Sequence, residues 1–248
     1  MRAVMLAAGV GDRLGEDAKK LPKVLLEFAG ESLLARHIAI LRHAGLSELV
    51  LCTGYRAEEI VAAITACGAQ DFVRTLYNPD YREGSMVSLW CVHEALAAGG
   101  DFLLMDADVL YDHRLIARLV ETRHANCFLM DRDIDPGEEP VKLCIKDGRI
   151  VDFEKKIEHD YEIFGESVGF FRFSQAIGHR LGTAAGAYVS AGEREHWYER
   201  AIRDLLLESP DEFGFEDVTG LPWLEIDFPE DVARAKREIL PQLKSLPA

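Results

Sequence analysis

Cysteine is sparse in this sequence, positive charge is in short supply, and long apolar runs are missing. Cys52, Cys67, Cys91, Cys127 and Cys144 are scattered, with no C-x-x-C pair and no histidine at metal-ligand spacing. That excludes a disulfide scaffold or zinc knuckle and fits buried thiols in a reducing compartment. No stretch is apolar for long enough to span a bilayer. Met1 leads straight into a hydrophobic strand, with no charged leader or cleavage site. The expected location is cytoplasmic. Lys and Arg number 28 against 43 Asp and Glu, a formal net charge of -15. A general nucleic-acid or membrane-surface binder needs a basic face, so neither is expected as a partner. The 8 histidines are dispersed, and none forms a Ser-His-Asp or Cys-His set.

What remains is an ordinary globular composition. At 248 residues, 48% hydrophobic and 29% charged, the chain can bury a large core. Short apolar runs at Ala3 to Leu6, Leu49 to Cys52, Phe72 to Tyr77 and Phe102 to Met105 read as buried strands. Between them, Glu31 to Ala44, Ala57 to Cys67 and Ser85 to Ala98 read as helices, the first stopped by Gly45. That alternation predicts an α/β fold, Rossmann-like and doubly wound, with a mostly parallel sheet. Ligands in such sheets sit beyond the carboxyl ends of the strands.

The second half is more antiparallel. Cys127 to Met130, Val141 to Ile145, Ile150 to Phe153 and Val168 to Phe173 read as strands, with a hairpin turn at Lys146 to Arg149. Gln175 to Leu181, Trp197 to Leu207 and Pro229 to Leu243 read as helices. The expectation is one domain over residues 1–248, with a nucleotide-binding half at 1–110. An inserted antiparallel acceptor-binding lobe and a C-terminal helix occupy 111–248.

The first strand runs into Leu6-Ala7-Ala8-Gly9-Val10-Gly11-Asp12-Arg13-Leu14, closed by Leu21-Pro22-Lys23. Small residues and two glycines let the backbone turn sharply, and its N–H groups can converge on an anion. Arg13 and Lys23 add fixed positive charge, which suits a polyphosphate. The dinucleotide pattern G-x-G-x-x-G fails because its third place is Leu14. The P-loop pattern fails because no Gly-Lys-Ser/Thr follows.

The stretch resembles the L-A-A-G-x-G-x-R-L…P-K signature of the nucleotidyltransferases that make activated sugars and alcohols. Within them it is most similar to the phosphocholine cytidylyltransferase branch. The resemblance implies that Leu6, Ala7, Ala8, Gly9, Gly11, Arg13 and Lys23 hold the nucleoside triphosphate.

Leu103-Leu104-Met105 ends in Asp106-Ala107-Asp108. Period two places both carboxylates on one face if the strand continues, and facing carboxylates repel unless a cation lies between them. Phosphate oxygens and one or two carboxylates suit Mg2+. The resemblance assigns the metal to Asp108, with Asp106 as a helper on the nucleotide side. Trp223-Leu224-Glu225-Ile226-Asp227 is similar to the family's W-x-E-I-D segment, which makes Asp227 the other metal ligand. On local sequence alone, Asp227 before Phe-Pro-Glu-Asp serves equally as a helix start.

Other segments carry the branch resemblance more weakly. Gly54-Tyr55, Asn78 and the Gly84-Ser85…Ser88 run are expected on the nucleotide side, although Ser85 serves equally as a helix N-cap. Lys155 is the candidate for the acceptor's phosphate. Trp197-Tyr198-Glu199, with Glu166, Asp217 and Trp223, offers the aromatic faces and carboxylates that a cationic amine needs; either tryptophan could equally fill core.

The resemblance therefore implies an enzyme, a Mg2+-dependent cytidylyltransferase. It would pass CMP from CTP to a small anionic acceptor such as phosphocholine, phosphoethanolamine or 2-aminoethylphosphonate. Inositol phosphate or a sugar 1-phosphate is the alternative acceptor, and a non-catalytic nucleotide-binding module the alternative class. A nicotinamide dehydrogenase is a third, more remote alternative. A homo-oligomer is left open.

Overall fold

The computed structural model describes residues 1–14, 21–133, 140–157 and 159–247. Residues 15–20, inside the N-terminal signature, lie outside them. Four parallel strands form the centre: β1 (Arg2–Ala7), β4 (Leu49–Thr53), β5 (Val73–Tyr77) and β6 (Phe102–Asp106). Their order is β6-β1-β4-β5, with Leu6 beside both Cys52 and Asp106. The glycine bend after β1 therefore lies next to the aspartate bend after β6.

Alternation along β1 builds the two faces. Ala3 and Met5 join one apolar cluster with α1 (Leu33–His43), α2 (Ala57–Ala66) and α5 (Arg114–Glu121). Val4 joins the other with α3 (Ser85–Cys91), α4 (His93–Ala97), α6 (Gln175–Ala191) and α7 (Glu199–Glu208). Helices on both faces keep β6, β1 and β4 largely out of water, which is why they read as nearly unbroken apolar runs, whereas β5 at the edge exposes Arg74 and Tyr77. A small hairpin, β2 (Glu27–Phe28) and β3 (Glu31–Ser32), leads into α1.

The same sheet continues through antiparallel strands. β11 (Ile163–Phe173) pairs with β6, β8 (Cys127–Asp131) and β9 (Lys142–Lys146), and β9 pairs with β10 (Arg149–Glu154). β12 (Gly214–Asp217) adds to β8. Asp147 and Gly148 both have positive φ, as the two-residue turn between β9 and β10 requires. A separate ribbon joins β7 (Val109–Tyr111) to β13 (Trp223–Glu225), followed by α8 (Pro229–Arg234).

Three helices and one strand differ from expectation. The helix expected over Ser85 to Ala98 breaks at Val92 (φ -99, ψ 9), where the His93 ring bonds the Trp90 carbonyl. The helix expected to stop at Leu181 runs on to Ala191, because Gly182 and Gly186 pack closely on His93 and Trp90 rather than ending it. After Arg234 the last helix loosens into a π-turn, Ala235–Ile239, and a short 3-10 turn containing Pro241, which has no N–H to donate. The strand expected from Val168 begins at Ile163 and passes through a bulge between Ser167 and Phe171, where Gly169 has φ +77.

Candidate active site

Lys23 is the hub. Its ammonium lies 2.8 Å from Asp108 Oδ2 and 2.6 Å from Asp227 Oδ1. Arg13 comes within 3.7 Å of the other Asp227 oxygen. Burial opposes the Lys23 charge, but Asp108 and Asp227 outweigh it and hold its pKa above the ordinary lysine range. Two acids more than a hundred positions apart are thus joined through one base from the glycine segment.

The ribbon explains the pairing. Val109 sits opposite Glu225, and the Ile226 N–H donates to the Asp108 carbonyl at 2.9 Å. Backbone pairing therefore sets Asp108 beside the end of β13. The helix-start alternative for Asp227 is met by another residue: Asp231 Oδ2 accepts from the N–H groups of Asp227 and Phe228. Asp227 is left to face Lys23.

Asp106 behaves differently from expectation. The strand stops at Asp106, so period two does not carry it alongside Asp108. Its Oδ2 accepts from the Tyr198 hydroxyl at 2.9 Å, and a Cβ on Gly169 would come within 2.2 Å of that oxygen. Burial, then the nearby charges of Glu199 and Asp108, push its pKa well above the usual carboxylate range. Glu225 stands with Asp108 instead: Asp108, Glu225 and Asp227 can each place one oxygen within 4.8 Å of the others. Removal from water within the cleft, then the charges of Asp108 and Asp227, push the Glu225 carboxyl upward as well. Three convergent oxygens with crowded charge are a donor set that fits a hard divalent cation.

The neighbouring bend is held from behind. His37 is fully buried, its Nε2–H donating to the Ala107 carbonyl at 3.0 Å and its Nδ1 accepting from the Tyr111 hydroxyl at 3.2 Å. Burial pushes its pKa from 6.5 down to about 4. Its contribution to stability is complete above pH 6.5 and fades as pH falls towards 4, because only the unfolded chain takes up the proton. Between those limits wild type should lose about 3 kcal/mol relative to His37→Gln, measured by denaturant unfolding across pH. Parallel pH dependences of the two proteins would show that His37 does not stay neutral in the fold.

Two cavities meet at the acidic cluster. One, of about 470 Å³, is lined by Leu6, Ala7, Ala8, Gly9, Gly11, Arg13, Lys23, Gly84, Ser85, Ser88 and Asp108, together with Val10, Asp12, Tyr81 and Arg82. The other, of about 430 Å³, is lined by Lys155, Glu166, Trp223 and several further acids. Asp106, Trp197, Glu199, Glu225 and Asp227 belong to both walls. Tyr198 is buried and faces the first cavity.

Side chains on the walls have defined partners. Ser85 Oγ accepts from the Tyr198 N–H rather than capping α3. The Lys155 ammonium sits 3.4 Å above the centroid of the Trp197 ring, so a cation of the protein's own already covers that face. The Trp223 indole donates to Asp131 at 2.7 Å. Glu199 Oε2 is shut off from solvent and has no hydrogen-bond partner among the described residues.

Four expected residues line neither cavity. Asn78 is buried, and its side chain holds Ser88 Oγ and the Asp80 N–H. Gly54 is a point of close packing, where a Cβ would lie 2.4 Å from Tyr81 and 2.8 Å from the Ala8 carbonyl oxygen. The Tyr55 N–H donates to that same carbonyl, bracing the glycine bend from outside. Asp217 is engaged by Thr219 and by Arg132 at 2.8 Å, away from the site. Glu225 was missed, although it stands two residues before Asp227 in the same acidic segment.

Strand order, glycine bend and acidic cluster together define a nucleotidyltransferase architecture. Residues 3–155 match the MobA-like NTP transferase domain, and the chain belongs to that family. Over 242 residues it is 32% identical to the "bifunctional IPC transferase and DIPP synthase" of Rubrobacter xylanophilus, covering 96% of this chain and 52% of that protein. The "CTP:phosphoglutamine cytidylyltransferase" of Campylobacter jejuni is 23% identical over 255 residues, covering 94% of this chain and 98% of that one. The chain spans about half, or less, of the first two curated relatives' length, 52% and 38%. In structure it resembles the CTP:phosphocholine cytidylyltransferase of Streptococcus pneumoniae, with a TM-score of 0.74, 19% identity and coverage of 95% and 97%. The likeness to that enzyme is one of fold. No helix among the described residues is long and apolar enough to cross a membrane.

Proposed function

We propose that this chain is a Mg2+-dependent cytidylyltransferase that passes CMP from CTP to a small phosphorylated or phosphonylated amino alcohol and releases pyrophosphate. The observation that carries this is Lys23 joining Asp108 and Asp227 at the glycine bend, where two cavities meet. The triphosphate lies along the glycine bend, with Arg13 and Lys23 beside it and Ser85 and Ser88 across the cavity. The acceptor enters from the Lys155 side. Its phosphate oxygen attacks the α-phosphorus in line and pyrophosphate leaves. A phosphomonoester has a second pKa of about 6, so that oxygen is ionised near neutrality and no general base is required. Positioning and charge neutralisation supply the catalysis. Asp108, Asp227 and Glu225 would hold the metal, which when bound neutralises charge on the phosphoryl oxygens.

The amine is assigned to Glu199. An unpartnered carboxylate oxygen on the wall between the cavities suits a positively charged group. Burial raises the Glu199 pKa to about 7. Below that pH the side chain is neutral and above it ionised, so KM for an amine-bearing acceptor should fall as pH rises through 7. Glu199→Gln should flatten this dependence and raise KM roughly ten- to hundredfold, the worth of one charge-assisted hydrogen bond. An unchanged KM in that variant would move the amine elsewhere. A pyrophosphate-release screen of four nucleoside triphosphates tests the whole assignment. The acceptors are phosphocholine, phosphoethanolamine, aminoethylphosphonate, inositol phosphate and sugar phosphates. Release only with a polyol phosphate, or only with another nucleotide, would overturn it.

A further inference from the structure

Lys23 stands where a cation shared by Asp108 and Asp227 would stand. The ammonium contacts one oxygen of each acid, at 2.8 and 2.6 Å, and those acids are two of the three that converge within 4.8 Å. Ammonium and divalent ion therefore compete for the same acids. Resting on the transferase assignment above, we infer that Lys23 is an internal counter-ion whose displacement couples divalent-cation binding to triphosphate binding.

Charge and reach support the coupling. A dication offers Asp108 and Asp227 twice the charge of the ammonium at the same oxygens, and Arg13 also approaches Asp227, so a bound dication frees the ammonium from these acids. The nearest place for a surplus ammonium to meet an anion is the glycine bend. The Lys23 stem already lies against it: a Cβ on Gly11 would lie 3.2 Å from Lys23 Cγ and 3.5 Å from Cε. The lysine backbone is pinned in a 3-10 turn by the Leu25 and Leu26 N–H groups, which donate to the Pro22 and Lys23 carbonyls. Only side-chain torsions need to change. Cation entry releases the ammonium towards the phosphates, and phosphate entry draws it off the acids. By linkage each ligand tightens the other by the same factor.

Mn2+ titration without nucleotide, by calorimetry or electron paramagnetic resonance, tests this. Lys23→Met should bind Mn2+ at least tenfold more tightly than wild type, and Asp108→Asn should bind it more weakly. Equal or weaker Mn2+ binding by Lys23→Met, with Asp108→Asn still impaired, overturns the counter-ion role and leaves the transferase assignment standing. Unaltered binding by Asp108→Asn overturns both. A second measurement needs no variant. Acetylation of Lys23 in the wild-type protein, followed by peptide mass spectrometry, should accelerate at least fivefold when Mn2+ is brought to saturation. Adding CTP should restore protection. An unchanged rate at saturating Mn2+ overturns the inference.

Discussion

Asp108→Asn should lower pyrophosphate release from CTP by at least about a thousandfold, on the scale of losing a principal charge-stabilising group in a preorganised site. Asparagine keeps the shape and removes the charge. The ribbon that places residue 108 is made by backbone groups, including the Ile226 N–H to the Asp108 carbonyl, which the substitution leaves intact. Lys23 keeps its shorter contact, to Asp227. The fold should therefore survive, with circular dichroism and unfolding midpoint close to wild type, while turnover disappears. Wild-type-like pyrophosphate release would remove Asp108 from the chemistry and the cation cluster with it.

Asp152→Ala should cost about 3–5 kcal/mol of stability, because it removes the acidic half of a buried ion pair. Asp152 is fully buried in β10, with one oxygen 2.8 Å from Arg203 Nε in α7 and the other 2.9 Å from His159 Nδ1. Arg203 is itself only 4% exposed, so water replaces the lost contact poorly. At about 2–4 °C per kcal/mol for a chain of this size, the unfolding midpoint should drop by roughly 6–20 °C. Replacing both partners together, Asp152→Leu with Arg203→Met, should recover most of the loss. If Asp152→Ala melts within a degree or two of wild type, the buried pair does not tie α7, which begins at Glu199, to the sheet.

The parallel half was legible because β1, β4 and β6 are buried and α1 is stopped by Gly45. Asp108 and the two-glycine bend were legible for a related reason, since each follows a strand end; Lys23 opens a 3-10 turn and was read from the Pro-Lys pair instead. Asp106 and Glu225 were not. Whether Asp106 faces Asp108 depends on where β6 stops, and Tyr198, from a distant segment, decides what its carboxyl does. The place of Glu225 depends on pairing with Val109, across a hundred residues of intervening chain. Asn78, Gly54 and Asp217 carried polar or flexible signatures that the fold uses for bracing instead. Gly182 and Gly186, inside the longer helix, are packing surfaces for His93 and Trp90.

The β7–β13 ribbon sets the spacing of the acidic centre through backbone pairing between two short strands far apart in the chain. Tyr111 pairs with Trp223, and the loop they close contains almost the whole antiparallel lobe. A slip of one residue in the ribbon would turn the Glu225 carboxylate to the opposite side and dismantle the centre.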